Sequence, residues 1–209
     1  MGGEGGAEPV PKVRELADAR YPPPAPPLQG GERISHPPPA PPLRGGERIA
    51  YARGVSGPDP MTLALEQARL AGALGEVPVG AVLMLGSRVV AACGNATRGT
   101  AGGAARPPDP TGHAEMRVLR AAAAALDRER LDDCDLWVTL EPCAMCAGAI
   151  GHARIRRLYW AAADPKGGAV EHGPRLFTQA TCHHRPELYG GLREADSAAL
   201  LRDFFARRR

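Results

Sequence analysis

From Met61 onward the sequence predicts an α/β layered domain around a mixed, about five-stranded sheet. Three observations lead there. Runs rich in β-branched and apolar residues alternate with helical patterns along the chain. Only the first two such runs are joined tightly enough to form a hairpin, so the later strands must be connected through helices. Residues 61–209 are also long enough to bury a genuine core, whereas residues 1–60 hold most of the proline and show no core pattern.

Residues 22–34 read PPPAPPLQGGERI and residues 37–49 read PPPAPPLRGGERI, differing only at Gln29 against Arg44. Two units are too few for a stacked repeat architecture. Each pairs a polyproline II run with a flexible Gly-Gly, and neither buries enough to offset its ordering entropy. The expectation for 1–60 is therefore a disordered Pro/Gly-rich tail. Pro23 to Pro26 satisfies PxxP, so a proline-binding partner is one alternative. A translated repeat upstream of a start at Met61 is another.

In the body, Thr62 is expected to cap a helix with Leu65, Ala68, Leu70 and Leu74 on one face, closing at Gly75. Residues 79–85 and 88–93 read as strands joined at Gly86-Ser87. Residues 95–110, rich in Gly, Ala and Pro, read as a loop. An alanine-rich helix follows from His113 to about Leu126, with Thr111 as a cap. Residues 136–140 form a short buried strand, 143–152 a helix, 157–161 a further strand, and 195–205 an amphipathic helix.

His113-Ala114-Glu115 and Pro142-Cys143-Ala144-Met145-Cys146 carry the chemistry. Proline suits the first turn of a helix, so Cys143 and Cys146 fall three apart in one turn with both sulfurs on one side. The positive helix terminus favours the thiolates that metals need. His113 stands at the start of the preceding helix, so two helix N-termini can converge on one ion. Three protein ligands leave a fourth position on zinc, the arrangement of a catalytic site. Glu115 then lies where it can shuttle protons for hydrolysis. Taken alone, CxxC is often structural zinc or a redox pair. A closed structural site would need Cys134, Cys182, His183 or His184 as a fourth ligand. Cys93 and Cys134 read as small core residues.

Bulk properties exclude little beyond this. The net charge of +3 does not announce a nucleic-acid binder, although Arg154, Arg156, Arg157, Arg202 and Arg207 to Arg209 cluster. No apolar run is long enough to span a bilayer, and a secretory signal is not evident. Five cysteines, an odd count, argue for reduced thiols and a cytoplasmic location.

The paired motifs match the H-x-E…P-C-x-x-C signature of zinc-dependent nucleobase deaminases. Over residues 61–209 the chain resembles bacterial tRNA-specific adenosine deaminases, in the blocks EVPVGAV at 76–82, DPTGHAE at 109–115, TLEPCAMCAGA at 139–149 and DPK at 164–166. The ending LRDFFARRR at 201–209 is similar too. The resemblance implies a cytidine-deaminase-like three-layer α/β/α fold, a homodimer, one Zn2+ per subunit, and conversion of adenosine to inosine at the wobble position of a tRNA anticodon stem-loop. It implies His113, Cys143 and Cys146 as ligands and Glu115 as the catalytic proton shuttle. Asn95 would hydrogen-bond the target base, Ala114 would meet it through its backbone, and Val77 and Pro78 would help form the pocket. Asp164, Lys166, Phe204, Phe205 and Arg207 would face the RNA. Two departures stand out: the loop from Asn95 to Asp109 is longer than usual, and Gly112 replaces the family's alanine. Deamination of a free guanine- or cytosine-type base, and a non-catalytic zinc-stabilised interaction module, are the alternative readings.

Overall fold

The computed structural model describes residues 59–99 and 107–208. The tail, with its repeat and PxxP motifs, lies outside these residues, as do the middle of the long loop and Arg209. Helix α1 (Pro60–Ala73) leads into strands β1 (Gly80–Leu85) and β2 (Arg88–Gly94), followed by α2 (Ala114–Leu126), β3 (Cys134–Leu140) and α3 (Ala144–His152). Strand β4 (Arg157–Ala162), a 3₁₀ turn at Leu176–Thr178, β5 (Glu187–Tyr189) and α4 (Glu194–Ala206) complete the chain.

The sheet order is β2-β1-β3-β4-β5. β1 is antiparallel to both neighbours, while β3, β4 and β5 run parallel, giving the expected mixed sheet. The sequence pointed to about five strands but placed only four; β5 is the one it did not locate. At three residues it is too short to show alternation, and its place is set by pairing Leu188 and Tyr189 with Leu158 and Tyr159.

Side chains alternate between two cores, as the two-residue strand period requires. Ala81, Leu83, Leu136, Val138, Leu158 and Trp160 face α2 and α3. Val82, Met84, Trp137, Tyr159 and Ala161 face α1. Three layers result. Trp137, Tyr159 and Tyr189 are register partners on that second face, and their rings stack at 3.9 and 4.8 Å between centroids.

Two details of α1 differ from expectation. Its cap is Asp59, whose carboxylate accepts from the Thr62 N–H at 3.0 Å and from the Thr62 hydroxyl; Thr62 is the capped residue, not the cap. Its buried face is Met61, Ala64, Leu65, Ala68 and Ala71, while Leu70 and Leu74 are exposed. The helix backbone lies directly on the strands: a Cβ on Gly80 would sit 2.1 Å from the Ala64 carbonyl oxygen. Where the backbones approach most closely, Ala64, Ala68 and Ala71 face the sheet beside Met61 and Leu65, while Leu70 and Leu74 are turned outward. At α2 the cap position belongs to His113; Thr111 instead bonds Asp109.

The topology places the site. Since β2 and β3 are both antiparallel to β1, and β4 is parallel to β3, these three strands end at one edge of the sheet. The segments leaving that edge are the Asn95 loop running into α2, the turn into α3, and the stretch after Ala162. Ligand sites in open α/β sheets lie outside such carboxyl ends.

Candidate active site

Helices α2 and α3, which start at this edge, present their cap residues to one point. His113 caps α2 and Cys143 caps α3, each in extended backbone conformation and neither using its side chain as a cap. Cys146 follows one turn later and is buried. The His113 Nδ1 lies 3.7 Å from Cys143 Sγ and 3.5 Å from Cys146 Sγ, and the two sulfurs are 3.6 Å apart. Tetrahedral zinc with Zn–S of about 2.3 Å and Zn–N of about 2.05 Å requires S···S of about 3.8 Å and S···N of about 3.6 Å. The donor triangle thus has the size of one tetrahedral face. Among the described residues no fourth His, Cys, Asp or Glu joins the group, so Cys134, Cys182, His183 and His184 do not close it.

Electrostatics agree with a cation at this point. Hydrogen bonds from Cys146 and His113 pull the Cys143 thiol down to about 4, and the same contact raises His113. Cys146 is driven up by its hydrogen bond with Cys143 and by burial, because two adjacent thiolates cannot both ionise without a counter-charge. Metal binding would displace the protons that this cluster otherwise holds. Glu115, beside Cys146 in the first turn of α2, is only 4% exposed, and burial pushes its carboxyl up to about 7. A carboxyl poised near neutrality is suited to take up and release a proton.

Asn95 follows β2 directly and is buried, with its side-chain oxygen accepting from the Ala114 N–H at 2.8 Å. That bond fixes the start of α2 and engages the N–H of Ala114, whose backbone was expected to meet the base. Among the described residues the Asn95 amide NH2 has no protein partner. On the other flank, Asp164 Oδ1 accepts from the Lys166 and Gly167 N–H groups at 3.2 and 3.0 Å, shaping a turn that leaves Lys166 exposed.

The remaining expected site residues divide. Val77 packs against the core beside α2. Pro78 lies in an open groove of about 310 Å³ together with Arg69, Phe204, Arg207 and Arg208. Within that groove Phe204 is 8% exposed, and the Arg208 guanidinium stacks 3.6 Å above its ring. Arg208 also donates to the Gly75 carbonyl at 3.1 Å. Phe204 therefore anchors α4 rather than offering its ring outward, while Phe205 and Arg207 are exposed.

Two buried carboxylates escaped the sequence reading. Glu76 accepts from the Thr97 N–H and hydroxyl at 3.0 Å and from the Arg98 N–H at 2.8 Å, tying the start of the long loop to the β1 approach. Glu141 does the same for the stretch after β4. The available signal was their position: each is an acidic residue beside an apolar run, where a charge survives only if it is hydrogen-bonded. His172 bonds Glu141 at 2.6 Å.

A three-layer sheet domain that offers one imidazole, two thiolates and a buried glutamate at its strand ends defines a zinc-dependent deaminase. The family model of the MafB19-like deaminases matches residues 56–209. A tRNA-specific adenosine deaminase of Agrobacterium fabrum is 57% identical over 149 residues, spanning 71% of this chain and 93% of that protein. A solved structure from work on A-to-I editing by tRNA:A34 deaminases at the wobble position of transfer RNA superposes with a TM-score of 0.63 at 57% identity. That match covers 68% of this chain and 98% of the other. A protein solved in complex with 2,6-diaminopurine matches at 26% identity and a TM-score of 0.55, over 70% of this chain and 80% of the other. The chain belongs to the MafB19-like deaminases and, among them, to the tRNA-specific adenosine deaminases.

Proposed function

We propose that this chain hydrolyses adenosine to inosine at the wobble position of a tRNA anticodon, releasing ammonia, as a cytoplasmic homodimer with one zinc ion per subunit. The observation that carries the reading is the donor triangle of His113, Cys143 and Cys146 with Glu115 buried beside it. The residues fit zinc in type and spacing, and His113, Cys143 and Cys146 would hold it. Bound zinc supplies Lewis acidity that makes water nucleophilic at neutral pH.

Glu115 takes one proton from the attacking water and delivers it to the purine ring nitrogen. It then takes the second proton, from the hydroxyl now on the base, and delivers it to the amine, which departs as ammonia as the carbonyl forms. Its raised affinity for a proton makes both transfers accessible near neutrality. Asn95, held by its bond to Ala114, offers its amide NH2 to an acceptor on the base edge. A base must leave its stack to reach such a site, which is easier in a single-stranded anticodon loop than in a duplex. Lys166, Phe205 and Arg207 are exposed for phosphate and stacking contacts. Similarity to tRNA deaminases at 57% identity, against 26% for the purine-bound protein, supports RNA over a free base.

The deciding assay incubates zinc-loaded protein with an anticodon stem-loop and, separately, with free adenosine, guanine and cytosine. Inosine is expected in the RNA alone. Deamination of a free base with none in RNA would establish the small-molecule alternative, and no deamination of any substrate would establish a non-catalytic module.

A further inference from the structure

Glu141 lies between the last strand residue of β3 and the metal-binding turn, yet neither ligand placement nor proton transfer uses it. Its side chain is fully inaccessible. One carboxylate oxygen accepts from three successive backbone N–H groups, those of Val170, Glu171 and His172, at 3.1, 2.9 and 3.0 Å. The other accepts from the Asp164 N–H at 3.0 Å and meets the His172 ring Nδ1 at 2.6 Å. Consecutive N–H groups converging on one point make an anion nest. Here the anion is supplied by the chain itself.

The same segment is tied to the start of α3 in other ways. Ala169 N–H donates to the Pro142 carbonyl at 2.9 Å, and Cys143 bridges Gly168. Gly168 cannot carry a side chain, because its Cβ would fall 2.5 Å from the Glu141 carboxyl carbon and 2.5 Å from the Asp164 carbonyl oxygen. Segment 164–172 is thus laid against residues 141–143 with no room for a spacer. At its near end stands the turn built by Asp164, with Lys166 exposed on it.

We infer that Glu141 is a positioning residue for the substrate: it joins the Asp164-Pro165-Lys166 turn rigidly to the metal-binding turn, so that the RNA-facing surface is held in register with the reacting centre. The inference rests on the proposed reading of the Asp164-Pro165-Lys166 turn as RNA-facing; its exchange and zinc arms are independent of that reading. Glu141 touches no substrate atom, so its loss should loosen substrate placement while leaving the metal donors in position.

The test uses full-length zinc-loaded protein and two variants, Glu141→Gln and the milder His172→Ala, which removes one of five donors. Amide hydrogen exchange at 164 and 170–172 is expected to accelerate at least tenfold in Glu141→Gln and a few-fold in His172→Ala. Zinc should stay near one per chain in both. With an anticodon stem-loop, KM should rise in the same order while kcat stays within about threefold. Unchanged exchange at these amides, or a fall in kcat with KM unaltered, overturns the proposal. Should Glu141→Gln not fold, His172→Ala decides alone by the same two readings. If the wild-type protein deaminates no RNA, the functional reading has failed, and the exchange and zinc measurements still decide whether the two turns are coupled.

Discussion

Glu115 and Glu141 are buried to nearly the same degree, 4% and 2% exposed, and stand within one site. Their carboxyls move in opposite directions, Glu115 up to about 7 and Glu141 down to about 2. Burial penalises the charge in both. The difference lies in donors: Glu141 receives four backbone N–H groups and an imidazole, whereas Glu115 has the N–H of its own residue and its share of the thiol–imidazole cluster. Desolvation decides protonation only where hydrogen bonds are withheld. The chain surrounds its structural carboxylate with donors and leaves its proton carrier poorly solvated.

The largest consequence concerns turnover. Glu115→Ala is expected to keep its zinc and lose turnover by roughly 10²–10⁴-fold, the range typical of a lost acid–base group. Single-turnover assays with a metal determination check it; wild-type rates would remove Glu115 from the mechanism.

Stability should discriminate between the two carboxylates in the other direction. Neutralising Glu141 as Glu141→Gln should cost on the order of 3 kcal/mol at neutral pH, because its depressed carboxyl favours the folded, ionised form. Glu115→Gln should cost little or be stabilising in the metal-free protein. Denaturant melts of both variants test this, and equal losses would mean that burial alone sets the outcome.

The pH dependence follows the same contrast. Glu141 binds its proton less well when folded, so its contribution is complete above about 4.5 and is lost as pH falls towards 2. Glu115 binds its proton better when folded, so metal-free protein should lose stability as pH rises from about 4.5 to 7. Each slope should vanish in the corresponding glutamine variant, as read from melting temperature against pH.

The smallest effect belongs to a carboxylate that water surrounds. Asp59 also accepts a backbone N–H, at the start of α1, but it is exposed. Asp59→Ala should cost about 1 kcal/mol, the usual value of a lost helix cap. A loss as large as that at Glu141 would show that the number of donors matters more than their burial.

Much of this arrangement was legible in the sequence. The strand runs, the tight Gly86-Ser87 turn and the paired motifs placed four strands, four helices and the donor triangle close to where they stand. What escaped was set by tertiary contact. Leu65 and Ala68 lie on the buried face as their spacing suggested, but Leu70 and Leu74 do not: Met61, Ala64 and Ala71 complete that face, with alanines where the strand glycines bring α1 closest. β5 exists through its pairing with β4 and has no pattern of its own. Phe204 and Phe205 are adjacent and chemically identical in sequence, and only the folded groove, where Arg208 stacks on Phe204, separates the anchored ring from the exposed one. Glu76 and Glu141 read as ordinary acids until their donors, distant in the chain, are brought to them.

The bonds around Glu76 bear on how this protein could be altered. The long loop leaves through Thr97 and Arg98, both tied to Glu76, and returns through Asp109, whose N–H donates to the Thr97 carbonyl at 3.0 Å. Ala96 and Gly112 are bonded across the same gap at 2.8 Å. With entry and exit fastened to each other, lengthening a flexible connection between them is expected to cost about 0.6 kcal/mol for each doubling. An insertion between Arg98 and Asp109 should therefore leave the metal donors where the sheet puts them, which makes this gap a natural place to graft new recognition.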